Sequence, residues 1–76
     1  MNVRDKIERA SEAAAAHDLP LAREHQVSRA FGRRGCVMVH GLGDNREPLW
    51  RVRLDRHGMV DDVRKWNEQM RLFTKP

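Results

Sequence analysis

The sequence predicts an α+β domain in the order α-β-β-β-α, a three-stranded antiparallel meander with both helices packed on one face. Three observations support this prediction. Both ends of the chain carry apolar residues at helical spacing, three short apolar runs fill the middle, and glycine-containing turns separate those runs. With 76 residues, the chain is expected to form one small domain, residues 1–76.

The first helix is predicted over residues 2–17. Its apolar side chains recur at the spacing of one helix face: Val3, Ile7, Ala10 and Ala14. Asn2 is suited to cap the start of the helix, because its side chain can accept a backbone N–H of the first turn. Pro20 ends the helix, because the residue before a proline disfavours the helical conformation.

Residues 21–31 fit two conformations. Val27, Arg29 and Phe31 alternate as in a strand, whereas the residues before them favour a helix. Because a lone two-stranded hairpin is marginally stable, a third strand is physically useful. We therefore expect a strand at about residues 26–32, with a short helix as the alternative.

Two turns divide the rest of the middle segment. GRRG, residues 32–35, leads into the apolar run CVMVHGL, residues 36–42. GDNREP, residues 43–48, leads into LWRVRLDRH, residues 49–57. Short apolar runs separated by such turns are typical of an antiparallel meander.

A second helix is predicted to begin at Asp61 and to continue to about Phe73. Asp61 is suited to the N-cap, and Asp62 adds negative charge to the first turn. The apolar side chains of this segment form a single stripe: Val63, Trp66, Met70 and Phe73.

Side-chain alternation assigns the strand residues to two faces of the sheet. The face covered by the helices is expected to carry the apolar set: Val37, Val39, Trp50, Val52 and Leu54. The uncovered face, which we call the open face, is expected to carry Cys36, Met38, His40, Leu49, Arg51, Arg53 and Asp55. Function is expected on the open face, because the core does not need its side chains.

The charge of the chain is concentrated in the middle segment. The formal net charge is +4, and residues 23–58 hold eight arginines against four acidic residues. Arginine suits bidentate contact with phosphate or carboxylate. The candidate binding residues are those on the predicted open face and in its neighbouring turns: Arg33, Arg34, Arg51, Arg53 and Arg56.

These observations predict a small non-enzymatic binding module that engages nucleic acid or an acidic protein surface. The alternative is a protein-interaction module, such as an inhibitor or accessory factor of the kind that phages and plasmids encode. An exposed sheet edge would serve that role, and the same edge could pair two copies into a homodimer.

The stretch LAREHQVSRAF, residues 21–31, is similar to helix-turn-helix repressors, in which Val-Ser opens the recognition helix. Here Val27 and Ser28 stand at those positions, and Gln26 stands where the repressor pattern has glycine. The resemblance implies a winged helix-turn-helix as an alternative fold. The residues that would then face DNA are Ser28, Arg29, Arg33 and Arg34.

His40 is the one candidate catalytic residue. A strand histidine on an α-β-β-β-α layout resembles the small HicA-type toxins, although their Gly-Ser-His signature is absent from this sequence. The resemblance implies a minimal ribonuclease. His40 would transfer a proton, and Arg51 or Arg53 would stabilise the developing charge.

Other classes of site are not indicated by the sequence. The four histidines and Cys36 show no recognised metal-ligand spacing, so we expect neither a metal site nor a cofactor. No stretch approaches the ~18 apolar residues of a membrane span, and the charged N-terminus lacks the apolar segment of a secretory signal. We therefore expect a cytoplasmic protein with no membrane partner.

Overall fold

The computed structural model describes residues 1–30, residue 32 and residues 34–67. The described residues form one helix and four strands: α1 (Val3–Ala16), β1 (Glu24–Arg29), β2 (Val37–Leu42), β3 (Pro48–Leu54) and β4 (Val60–Lys65). The four strands make one antiparallel sheet in the order β1-β2-β3-β4. The α+β class and the meander are confirmed, with four strands instead of the predicted three.

Helix α1 confirms the first predicted element. The Asn2 side chain accepts the backbone N–H of Asp5 at 2.8 Å, as expected of an N-cap. At the other end, Asp18 adopts a φ of 57°, and the Leu19 N–H donates to the Ala14 carbonyl at 2.9 Å. This left-handed residue with its backward hydrogen bond ends the helix before Pro20 is reached.

Strand β1 resolves the ambiguity of residues 21–31 in favour of a strand. Val27 lies opposite Val39 of β2, and Ser28 lies opposite Met38. Because Val27 and Ser28 lie in a strand, no recognition helix begins there. The winged helix-turn-helix alternative is therefore wrong for this segment.

The predicted second helix, which was to begin at Asp61, is wrong over residues 61–67: residues 61–65 lie in β4, and residues 66 and 67 are not helical. A tight turn starts the strand: the Asp55 carboxylate accepts the backbone N–H groups of His57 at 2.8 Å and Met59 at 3.0 Å. Gly58 completes the turn with a φ of 81°. This hairpin brings the following residues back along β3, so strand pairing overrides the helical spacing. The rest of the predicted helix, residues 68–73, lies outside the described residues.

The core lies between α1 and the covered face of the sheet. Its fully buried side chains come from the helix and the two central strands: Ala10, Ala14, Val39, Trp50, Val52 and Leu54. The small alanines of α1 allow the helix to approach the sheet closely. Among the described residues, α1 is the one helix on the sheet, and no helix covers the opposite face.

Candidate functional site

The strand register assembles the open face from two parallel rows of side chains. The first row crosses the sheet as Gln26, His40, Arg51 and Arg64. The second row crosses it as Ser28, Met38, Arg53 and Asp62. The predicted juxtaposition of His40, Arg51 and Arg53 is therefore present, and neither row contains a phenylalanine, tyrosine or tryptophan.

Arg51 lies at the centre of the open face without a carboxylate partner among the described residues. Its Nε atom is shielded from solvent and donates no hydrogen bond. A half-buried guanidinium in this state keeps its charge uncompensated, which favours an incoming anion over water.

His40 lies directly opposite Arg51 on β2. Its Nε2 atom lies 3.3 Å from the Ser28 hydroxyl, its one hydrogen-bond partner among the described residues. Burial lowers the pKa of His40 from its ordinary value of 6.5, and the Arg51 charge lowers it further. His40 is therefore neutral at pH 7 and can accept a proton.

We expect an NMR titration to find the pKa of His40 below 6.5 in the native protein. Arg51→Gln should raise this pKa without restoring 6.5, because burial is the larger cause. A pKa that does not respond to Arg51→Gln would contradict the electrostatic contact between the two side chains.

The same shift has a consequence for stability. His40 binds a proton more readily in the unfolded chain than in the folded chain, because folding lowers its pKa. The contribution of His40 to the free energy of unfolding is therefore fully present above about pH 6.5 and is lost as the pH falls through the folded pKa. His40→Gln should reduce the loss of unfolding free energy over that acidic range. Urea denaturation at several pH values measures the difference.

Arg53 and Arg64 are compensated by neighbouring carboxylates. Arg53 Nε lies 2.8 Å from an Asp61 oxygen, and Arg64 Nε lies 2.9 Å from an Asp62 oxygen. The site prediction named Arg53 but missed these partners, because it assigned Asp61 and Asp62 to a helix. The turn formed by Asp55 and Gly58 was the signal that could have revealed them, because it returns the chain beside β3.

Two of the predicted turn arginines, Arg34 and Arg56, lie at one end of the sheet. A Cβ atom placed on Gly35 would lie 2.8 Å from Cβ of Arg56, so the β1–β2 turn and the β3–β4 turn are in contact. Arg34 lies in the first turn and Arg56 in the second, while Arg29 ends the adjacent β1. We call Arg29, Arg34 and Arg56 the basic end. Arg33, also a predicted site residue, lies outside the described residues.

The basic end has no ion pair, unlike the opposite end of the sheet. None of its three arginines forms an ion pair with any described residue; the Arg56 Nε donates to the His57 ring at 3.4 Å, and the Arg56 charge interacts with the Asp55 carboxylate beyond ion-pair distance. At the opposite end, two ion pairs neutralise the arginines: Arg23 with Asp44 and Arg46 with Glu24. Among the described arginines of the sheet and its turns, those without an ion pair therefore lie at the basic end and at Arg51.

No three histidine, cysteine, aspartate or glutamate side chains among the described residues are placed to share a metal ion. Likewise, no helix in the described part of the chain has the length and apolar character to cross a membrane.

Comparison of the chain with protein-family models, with curated proteins and with solved structures finds no match. The functional interpretation therefore depends on the residues and geometry of this chain alone.

Proposed function

We propose that this protein is a small binding module that engages the phosphate backbone of nucleic acid. The observation that carries the proposal is that four described arginines of the sheet and its turns form no ion pair with any described residue: Arg29, Arg34, Arg51 and Arg56. Of these, Arg34, Arg51 and Arg56 are the proposed phosphate contacts. Arg51 lies on β3, and Arg56 lies in the turn that follows β3. An anionic strand lying along β3 would therefore meet both.

The chemistry of these arginines suits phosphate. A guanidinium donates two parallel hydrogen bonds to phosphate oxygens, and these bonds strengthen where the group is partly desolvated. Arg51 is half-buried and its Nε is shielded from solvent. Because the neighbouring Arg53 and Arg64 are compensated by carboxylates, charge would guide the phosphate backbone to the arginines without an ion pair.

The open face favours double-stranded over single-stranded nucleic acid. Proteins that bind single strands on a sheet stack bases on aromatic side chains. Neither described row of the open face offers a phenylalanine, tyrosine or tryptophan ring, since Trp50 points into the core, and His40 is the one ring available. Contacts to phosphates alone predict binding that depends on salt and depends little on sequence.

The direct test is the affinity of the protein for a fluorescent DNA duplex at low salt, measured by fluorescence anisotropy. The triple variant Arg34→Gln/Arg51→Gln/Arg56→Gln should bind at least about tenfold more weakly, because three phosphate contacts are lost. Binding of the duplex should also raise the pKa of His40, since a phosphate beside Arg51 offsets its positive charge.

A matched control removes the same charge from the other end of the sheet: Arg23→Gln/Arg46→Gln/Lys65→Gln. Each triple variant lowers the formal net charge from +4 to +1. The control should retain most of the affinity. Equal losses of affinity in the two triple variants would show that the effect arises from net charge alone. The proposal would be overturned if the native protein bound no nucleic acid.

The second candidate is a protein-interaction module, favoured by an exposed apolar surface where the start of α1 meets the β3–β4 turn. Its apolar side chains are about half exposed: Met1, Val3, Met59 and Val60. A groove there also contains the helix carboxylates of Asp5, Glu8 and Glu12, which suit a basic peptide. A protein complex that survives nuclease and high salt, and that Met59→Glu disrupts, would favour this candidate.

A further inference from the structure

Strand β4 has a free edge among the described residues, because it pairs only with β3. The Trp66 N–H donates to the Leu49 carbonyl at 3.0 Å, which extends the β3–β4 ladder by one pair. Hydrogen-bonded and non-bonded pairs alternate in an antiparallel ladder. Asp62 and Arg64 therefore direct their backbone groups toward β3, and Val63 directs its N–H and C=O outward.

We propose that β4 pairs with β4 of a second copy of this chain, antiparallel, with the two-fold axis at Val63. Two copies of one edge form an isologous, self-limiting contact. In this register, Val63 of the two chains would exchange backbone hydrogen bonds. Asp62 of each copy would lie opposite Arg64 of the other. The pairing does not depend on the proposed function.

Charge selects this register from its neighbours. The two β4 strands can form hydrogen bonds only where the outward-facing backbone groups of one meet those of the other. Any other register must therefore also place Val63 opposite an outward-facing residue of the second copy. One such step places Asp62 against Asp62 of the other copy, and the opposite step places Arg64 against Arg64. Only the central register sets opposite charges against each other, and like charges directly opposite are destabilising.

The other free edge lacks this self-complementarity. The Ala30 N–H donates to the Cys36 carbonyl at 3.1 Å, so Val27 faces outward on β1 as Val63 does on β4. Centred on Val27, two β1 strands would place Gln26 opposite Ser28 and His25 opposite Arg29. No pair of opposite charges results, so β4 is the edge that specifies a partner.

Pairing through β4 would join two open faces into one surface. The sheet would contain eight described strands, four from each copy. The two β3 strands would be separated by three strand spacings, roughly 14 Å. Arg51 of both copies would then face the same side and could contact one long polyanion together.

Sedimentation equilibrium of the full chain tests the pairing. We expect the native protein to sediment at twice the 8.9 kDa chain mass at high concentration. Asp62→Arg and Arg64→Asp should each abolish the dimer by placing like charges opposite each other, and an equimolar mixture of the two variants should restore it. Asp62→Arg/Arg64→Asp within one chain should remain dimeric, because the charges are exchanged.

Amide hydrogen exchange gives an independent measurement that does not depend on how the variants fold. The Val63 amide should exchange slowly in the dimer and faster on dilution, whereas the Val27 amide, on the free β1 edge, should exchange quickly at all concentrations. A monomeric native protein, an assembly larger than a dimer, or dimers that persist in both single variants would overturn the proposal.

Discussion

Trp50→Ala is expected to remove most of the stability of this protein. The Trp50 ring is 97% removed from solvent, since its relative exposure is 3%, and its Nε1–H donates to the Pro20 carbonyl at 2.8 Å. Truncating a buried tryptophan costs about 3–5 kcal/mol. Small domains have total stabilities near the lower end of about 5–15 kcal/mol, so the variant should be largely unfolded at mild urea concentrations.

Two further variants separate the causes of this loss. Trp50→Phe keeps an aromatic ring in the core but loses the hydrogen bond to Pro20, and should cost less than Trp50→Ala. Trp66→Ala removes the same side chain from a half-buried position outside the main core cluster, and should cost the least. Equal urea midpoints for Trp50→Ala and Trp66→Ala would contradict the central role of Trp50.

Gly41→Ala is expected to have the next largest effect. Gly41 lies opposite Trp50 across the β2–β3 ladder, and a Cβ atom at this position would overlap the six-membered ring of Trp50. The ring is confined by the His25 side chain, 5.9 Å between centroids, and by its bond to Pro20. Because the ring cannot move freely, overpacking should cost about 1–3 kcal/mol or more.

Gly43→Ala provides the control, because the three atoms nearest a Cβ atom there belong to the exposed carboxylate group of Glu47, which can move aside at the loss of its hydrogen bond from the Asn45 N–H. A double-mutant cycle adds a sharper test: Gly41→Ala should cost little in the Trp50→Ala background, since the ring is then absent. Thermal or urea unfolding of the four proteins measures the coupling. Additive losses would show that the Gly41 effect does not arise from contact with the ring.

The sequence predicted the parts of the fold that depend on local periodicity. The α1 spacing and the Asn2 cap were correct because a capped amphipathic helix is encoded by its own residues. The alternation that placed Val39, Trp50 and Val52 on the covered face was also correct. Each of these signals lies within one element.

The last element was predicted wrongly because two signals compete there. Val63 and Trp66 fit a helix by spacing, whereas Asp55 and Gly58 encode a tight hairpin just before them. The hairpin returns the chain beside β3, where Val63 meets Val52 across the ladder. Tertiary pairing of this kind cannot be read from spacing alone.

The candidate site was predicted in part for the same reason. Alternation placed Arg51, Arg53 and His40 on one face correctly. The compensation of Arg53 by Asp61 depends on β4, and the contact between Gly35 and Arg56 depends on two turns far apart in the chain. Which arginines remain free is therefore a property of the assembled sheet.

The most direct test of the central claim is the salt dependence of duplex binding. If Arg34, Arg51 and Arg56 each neutralise one phosphate, a plot of log K against log salt concentration should have a slope of about −3, since each contact releases counterions. Arg51→Gln should reduce the magnitude of the slope by about 1. A slope near zero, or a slope that the triple variant leaves unchanged, would contradict the claim that these arginines bind the phosphate backbone.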